Sequence, residues 1–323
     1  LHDGALARRR ASGAASIATL GVLALVLAIL FFGSVSVKRA AEIFLPRGES
    51  SLERTSSGRS TLGAERTREG AIIPIGGVDL GIRWGDIGAR LVEAGVIARG
   101  KFEELYASDA VRAEEARRLL AGGPDGSLRI TRENAPIILN LLWAFGLGNK
   151  SSVLETGPMR DPSYGGADIF ASTGGWTLSK DDPSDPERPT AMDHYSMHAF
   201  VTLTAEQQKR VEDVSKNIFR PCCNNATYFP DCNHGMAMLG LLELLAAQGA
   251  NGDAMYRSAL AANSYWFPDT YLTIDAYLAK RGRRFEDADP KELLGAGFSS
   301  ASGFQRILRE VEPASFRGGS CGV

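Results

Sequence analysis

The sequence lacks a large excess of charge of either sign. Its 36 Lys and Arg residues and 38 Asp and Glu residues leave a formal net charge of −2. Nucleic-acid-binding domains usually carry a clear basic excess, so this composition argues against a nucleic-acid partner. The sequence also lacks the G-x-S-x-G, P-loop, G-x-G-x-x-G and H-E-x-x-H motifs, so it gives no sign of the chemistries that those motifs support.

Cysteine and histidine are scarce, with four of each in 323 residues. There is no C-x-x-C pair, which disfavours a thioredoxin-like site, and the cysteine spacing is not that of a standard zinc finger. Because these residues are few, their clustering in one short segment is informative. Three of the four cysteines and one histidine lie in RPCCNNATYFPDCNHGMAML, residues 220–239.

One long hydrophobic run lies near the N-terminus, at residues 11–37, directly after Arg8, Arg9 and Arg10. Its length exceeds the roughly 18 residues expected of a membrane-spanning helix. We therefore predict a membrane anchor within residues 1–40. The alternative is a signal peptide, because the small residues at positions 34–36 resemble a cleavage site. Both interpretations place the body outside the cytoplasm, in the periplasm or at the cell surface.

The rest of the chain divides into a polar segment and a folded body. Residues 41–70 are poor in apolar side chains over most of their length, which predicts a flexible linker. Residues 71–323 show helical periodicity between glycine and proline punctuation. A short strand and turn are expected at the start, in residues 71–84, from Ile72, Ile73, Ile75 and the glycines. The fold class predicted is mainly α: a single helical domain with a long irregular loop and a few short strands, behind a transmembrane helix. Thr131 and Thr204 are predicted helix N-caps, the latter in a capping box with Gln207.

Residues 149–193 are dense in Pro, Gly, Asp and Ser, which predicts the long irregular loop. Short strands are expected near residues 169–171 and 176–178. The aromatic residues Tyr164, Phe170 and Trp176 favour a packed loop. Residues 157–193 are predicted to form either a lid or the surface for a protein partner, because this segment leads directly into His194.

The cysteines and histidines together predict a metal site. Thiolates and imidazoles are the ligands that suit zinc and copper. Asp231 is the expected cap of the helix that follows, and that helix start would favour a thiolate at Cys232. Methionines at positions 192, 197, 236 and 238 favour copper, with zinc next, because thioether sulfur is a soft ligand. The predicted ligands are Cys222, Cys223, Cys232, His234 and His194.

Two alternatives to the metal site remain open from the sequence. The adjacent Cys222 and Cys223 could form a redox centre, or a cysteine nucleophile could be activated by a histidine base. Alternatively, the four cysteines, with Cys321 as the fourth, could form disulfides that staple an interaction module. The sequence leaves open whether the chain is an enzyme.

Overall fold

The computed structural model describes residues 68–122, 126–181, 184 and 191–311. The predicted anchor at residues 1–40, nearly all of the predicted linker, and Cys321 lie outside the described residues. Within the part of the chain that is described, no helix is both long and apolar enough to cross a membrane.

The described chain is mainly helical, as the sequence predicts. The helices are α1 (Ile87–Glu93), α2 (Arg99–Glu104), α3 (Ala110–Ala121), α4 (Ala135–Gly148), α5 (Ser152–Thr156), α6 (Ala191–His194), α7 (Ala205–Ser215), α8 (Asn233–Ala247), α9 (Gly252–Trp266), α10 (Pro268–Ala279), α11 (Pro290–Leu294), α12 (Ala296–Ser299) and α13 (Ala301–Glu310). Short 3-10 turns cover Pro158–Arg160, Pro162–Tyr164, Ala167–Ile169 and Phe285–Asp287.

Two short strands, β1 (Val78–Arg83) and β2 (Ser127–Ile130), pair antiparallel, with Val78 opposite Ile130. Their side chains alternate as expected of a half-buried sheet. Leu80 and Ile82 are buried in β1, and Leu128 and Ile130 are buried in β2. A short strand within residues 71–84 is therefore confirmed. It begins at Val78, after Ile72, Ile73 and Ile75, on which the prediction rested.

The core centres on α4 and α8, whose side chains are almost all buried. The two backbones touch where Gly146 meets Gly240. A Cβ atom on Gly240 would lie 2.5 Å from the carbonyl oxygen of Leu142. This close approach requires glycine, and it fixes where α8 crosses the core.

The helix starts follow the sequence signals in part. The Thr204–Gln207 capping box is present as predicted. Thr131 is not an N-cap, because α4 begins three residues later, after Asn134. Thr131 and Asn134 instead exchange backbone-to-side-chain hydrogen bonds of 2.7 and 3.3 Å, which hold the turn before the helix. Asp231 is also not a cap, since Cys232 takes the N-cap position of α8.

The long irregular loop is present, and its described part is packed as predicted. Trp176 is buried against Trp143, with ring centroids 4.9 Å apart. Its indole Nε1 donates to the carbonyl of Val96 at 2.9 Å. The predicted strands at residues 169–171 and 176–178 are wrong. A 3-10 turn and consecutive tight turns occupy residues 167–175, and residues 176–178 carry no strand pairing. The glycines of this segment and its local hydrogen bonds favour turns, and this preference outweighs the β propensity of its side chains.

Candidate functional site: a three-sulfur cluster beside a buried arginine

Three cysteine sulfurs meet at the start of α8. The Sγ atoms of Cys222, Cys223 and Cys232 all lie within 4.8 Å of one another. The Sγ atoms of Cys222 and Cys232 are 3.6 Å apart. All three residues are free thiols, and Cys222 is exposed while the other two are partly buried. The cluster therefore combines a shielded side with one accessible sulfur.

Residues 216–232 form the connection that carries Cys222 and Cys223, and hydrogen bonds fix its backbone. The Phe219 N–H donates to the carbonyl of Leu294 at 2.8 Å, and the Ala301 N–H donates to the carbonyl of Cys223 at 2.9 Å. Thr227 donates from both its backbone nitrogen and its hydroxyl to the carbonyl of Ile218. The connection is thus tied to the α11–α13 region, and the two cysteines are held by packed structure.

Cys232 occupies the N-cap position of α8, with φ −119° and ψ 165°. Its Sγ atom accepts a hydrogen bond from the Gly235 backbone nitrogen at 3.4 Å. A side-chain acceptor at this position satisfies one of the unpaired N–H groups of a helix start. The positive end of the helix dipole also favours negative charge there. The helix start therefore stabilises a thiolate at Cys232.

Arg220 supplies a full positive charge next to the same sulfur. Its side chain is completely buried. Its Nε donates to Cys232 Sγ at 3.2 Å, and its Nη2 donates to Asp231 Oδ1 at 2.9 Å and to the carbonyl of Phe229 at 3.2 Å. Burial opposes the charge on this guanidinium, but the Cys232 and Cys223 sulfurs raise its pKa above the ordinary value. Arg220 thus remains a cation inside the protein.

Gly235 leaves the space that the Arg220 guanidinium fills. A Cβ atom at this position would lie 2.6 Å from Cζ and Nη2 of Arg220 and 2.9 Å from Nε. Any larger residue would push the guanidinium away from Cys232. The sequence C-N-H-G at the start of α8 therefore includes a glycine that the arginine requires.

The three thiols share negative charge unequally. Hydrogen bonds from the Cys222 and Cys223 thiols, assisted by Arg220, hold the pKa of Cys232 far below the ordinary thiol value. The hydrogen bonds to Cys223 and then to Cys232 raise the pKa of Cys222. The charge of the cluster consequently lies on Cys232, with Cys222 protonated beside it.

Asp231 and Asn225 close the polar shell around the sulfurs. Asn225 Nδ2 donates to Asp231 Oδ2 at 2.7 Å, while Arg220 uses Oδ1 of the same carboxylate. The Asp231 carbonyl accepts from the Ser172 backbone nitrogen at 3.1 Å. That contact joins the long loop to the cluster.

His234 lies on α8 but does not join the three sulfurs. Its ring is buried against Phe267 and Trp266, with centroid distances of 4.4 and 5.9 Å. Its Nδ1 lies 2.8 Å from Asn233 Oδ1. Burial lowers the pKa of His234 to about 4, so this imidazole is neutral at neutral pH.

His194 is placed with His198, away from the sulfurs. The His194 Nδ1 and His198 Nε2 atoms are 2.9 Å apart. His198 also stacks on Phe200, with ring centroids 5.1 Å apart. Burial, and for His194 also the charge of its neighbour His198, lowers the pKa of both residues. The structure therefore brings together Cys222, Cys223 and Cys232 of the predicted ligands, and gives His234 and His194 other neighbours.

Sequence analysis missed Arg220. Only its position in R-P-C-C, directly ahead of the vicinal cysteines, marks it in the sequence. A lone arginine is ordinarily read as a surface residue, so its complete burial had no sequence signal of its own.

Comparison of the chain with protein-family models, with curated proteins and with solved structures gives no match in any of the three.

Proposed function

We propose that this protein binds one soft transition-metal ion through the sulfurs of Cys222, Cys223 and Cys232. The observation that carries the proposal is that all three Sγ atoms lie within 4.8 Å of one another. Thiolate is the ligand type that selects copper(I) and zinc over harder cations. The function would be to hold or pass on such an ion.

The sulfur spacing agrees with a shared ion. With metal–sulfur bonds of about 2.3 Å, two sulfurs on one ion are about 3.8–4.0 Å apart in tetrahedral or trigonal geometry. The observed separation of 3.6 Å between Cys222 and Cys232 Sγ is close to that value. A disulfide would require an S–S distance of about 2.05 Å. Small side-chain shifts would bring the three thiolates onto one ion.

Arg220 also supports the proposal. Three thiolates carry three negative charges, of which zinc(II) neutralises two and copper(I) neutralises one. The buried guanidinium, 3.2 Å from Cys232 Sγ, stabilises the remaining charge in a medium where unpaired charge is costly. Asp231 Oδ1 accepts from Arg220 Nη2 and so orients the cation. The same oxygen lies 4.0 Å from Cys223 Sγ.

Copper(I) and zinc(II) are the two ions that this ligand set favours. Three sulfurs satisfy trigonal copper(I), whereas zinc requires a fourth ligand to complete its tetrahedron. The sulfur triangle therefore favours copper(I), with zinc held by three sulfurs and a water or partner ligand. No buried methionine sulfur is needed for either arrangement.

The test is the metal content and affinity of the full chain. The chain would be purified under reducing conditions without chelators and compared with Cys232→Ser and with His234→Ala. Elemental mass spectrometry should find close to one copper or zinc ion per wild-type chain, none in Cys232→Ser, and wild-type content in His234→Ala. Loss of the ion in His234→Ala, with retention in Cys232→Ser, would overturn the proposal.

We also propose that the chain is anchored in a membrane, with its body outside the cytoplasm. Residues 157–193 are the proposed surface for a protein partner. Two facts support that surface. Tyr164, Phe170 and Phe229 form a cluster with ring centroids 5.3–5.5 Å apart. Ile169 next to it is exposed.

A further inference from the structure

We infer that the reduced, metal-free chain has a second activity, the reduction of disulfides. Cys232 attacks a sulfur of an exposed disulfide and forms a mixed disulfide with it. Cys222 then attacks Cys232 Sγ and displaces the remaining substrate thiolate. The substrate class is an accessible disulfide of a small thiol or of a protein segment. This activity goes beyond metal binding, although the same sulfurs serve both.

Cys232 has the surroundings of an attacking sulfur. Its Sγ atom accepts from Arg220 Nε at 3.2 Å and from the Gly235 backbone nitrogen at 3.4 Å. Both donors stabilise negative charge on this sulfur, and the thiolate is the nucleophilic form of cysteine. Cys222 and Cys223 have no contact of this kind with the guanidinium among the hydrogen bonds of the described residues.

Cys222 is placed to resolve the intermediate. Its Sγ atom is 3.6 Å from that of Cys232, and the residue is exposed. Closing this gap to a disulfide requires a movement of about 1.5 Å. The exposure of Cys222 also leaves an opening through which a substrate disulfide reaches the cluster.

The exchange balances in two steps. In the first, the Cys232 thiolate forms a bond to one substrate sulfur, and the substrate S–S bond breaks to release a thiolate. In the second, the Cys222 sulfur, having lost its proton to that released thiolate or to solvent, bonds to Cys232 Sγ and releases the second substrate thiolate. The chain gives up two electrons and gains a Cys222–Cys232 disulfide, while the substrate gains two electrons and becomes two thiols.

Metal binding and disulfide exchange exclude each other. An ion held by all three sulfurs blocks the electron pair with which Cys232 attacks. Conversely, a Cys222–Cys232 disulfide leaves Cys223 as the only thiol of the cluster. The metal-loaded chain is therefore expected to react with disulfides more slowly than the metal-free chain.

The test uses the full chain with oxidised glutathione as the probe and peptide mass spectrometry as the readout, so that Cys321 is followed separately. The metal-free wild type should form a Cys222–Cys232 disulfide without a lasting glutathione adduct. Cys222→Ser should accumulate glutathione on Cys232. Cys232→Ser should consume oxidised glutathione at least about tenfold more slowly than the wild type. The remaining thiols lack the contacts with Arg220 and Gly235 that stabilise the Cys232 sulfur.

Cys223→Ser tests which pair reacts, because it removes the third thiol of the cluster while keeping Cys222 and Cys232. It should form the same Cys222–Cys232 disulfide as the wild type. Formation of a Cys222–Cys223 disulfide in the wild type, or reaction of Cys232→Ser at the wild-type rate, would overturn the inference. Circular dichroism of each variant would confirm that it is folded.

The two functions can fail separately. Metal content is measured before glutathione is added, so an absent ion counts against metal binding alone. A chain that binds one ion but forms no Cys222–Cys232 disulfide after chelation would overturn the exchange activity and leave metal binding intact.

Discussion

Among single residues, Arg220 connects the charge of the site to the stability of the fold. It is completely buried, and its hydrogen bonds reach Cys232, Asp231 and Phe229. Its Nη1 has no hydrogen-bond partner among the described residues. A buried cation is stabilised by the hydrogen-bond acceptors around it, and the negative charges on those acceptors are in turn stabilised by the cation.

Replacing Arg220 with Met should strongly destabilise the metal-free chain. Asp231 and Cys232 would lose their charged partner, and breaking a buried ion pair in this way costs about 3–5 kcal/mol of unfolding free energy. Urea denaturation would measure the change. Arg283→Met is the control, because its bond to Glu292 is exposed and an exposed ion pair contributes little to stability. Equal stability of the two variants would contradict the assigned role of Arg220.

Glu243 is a second buried charge-bearing residue, and it should make stability depend on pH. Burial raises the pKa of its carboxyl from 4.5 to about 8. Asn149 Nδ2 donates to its Oε2 at 2.9 Å, while Oε1 has no partner in the described part of the chain. Between these two pH values the unfolded chain loses the proton that the folded chain keeps. The free energy of unfolding therefore falls as pH rises through this window.

Glu243→Gln should remove that pH dependence. The amide oxygen can still accept from Asn149, and no proton is lost as pH rises. The Tm of the variant should exceed that of the wild type by more at pH 8 than at pH 5, measured on the metal-free chain. Glu114→Gln on an exposed part of α3 provides the control. A Tm difference independent of pH would show that Glu243 does not titrate in this range.

At the scale of elements, the start of α8 organises the site. The N-cap residue is Cys232, the third helical residue is Gly235, and both contact Arg220. Sequence periodicity predicted the helix itself, because an apolar run closed by glycine is a strong local signal. It did not predict the cap, since Asp is usually preferred over Cys at that position. The charge on Arg220 explains why a thiolate is stable there.

Gly235→Ala should disturb both the fold and the site. The new methyl group would overlap the Arg220 guanidinium, and overpacking of this kind costs about 1–3 kcal/mol. Thermal unfolding and metal affinity should both decrease. Gly297→Ala is the control, because a Cβ atom there meets no heavy atom within 4 Å. Unchanged metal affinity in a folded Gly235→Ala chain would argue against the role of Arg220 at the sulfurs.

The conformations of the connections between helices were harder to predict from the sequence than the helices themselves. Residues 216–232 are fixed by hydrogen bonds to α11 and α13, which lie about 75 residues further along the chain. Such contacts leave no periodic pattern in the sequence. The same reason explains His194, which pairs with His198 instead of joining the cysteines. His234 lies beside Cys232 in the first turn of α8, but its ring packs against Phe267 and Trp266. Proximity along a chain determines contacts within a turn of helix and little beyond.

At the scale of the whole molecule, metal binding should be coupled to folding. In the folded chain, the hydrogen bonds of residues 216–232 and the contact of Arg220 with Cys232 hold the three cysteines together. A ligand that binds only the folded state stabilises it by about 4 kcal/mol when its concentration is a thousand times Kd. Differential scanning calorimetry should show a Tm increase with copper(I) or zinc, reversed by a chelator. A Tm shift that persists in Cys232→Ser would point to another site.

Identifying the atoms bound to the loaded ion tests the proposed three-sulfur metal site most directly. X-ray absorption spectroscopy of the full chain, loaded with copper(I) or with zinc under reducing conditions, counts the atoms bound to the ion and identifies them. We predict three sulfurs at about 2.3 Å and no imidazole scattering. An imidazole in the shell, or fewer than three sulfurs, would contradict a site made of Cys222, Cys223 and Cys232.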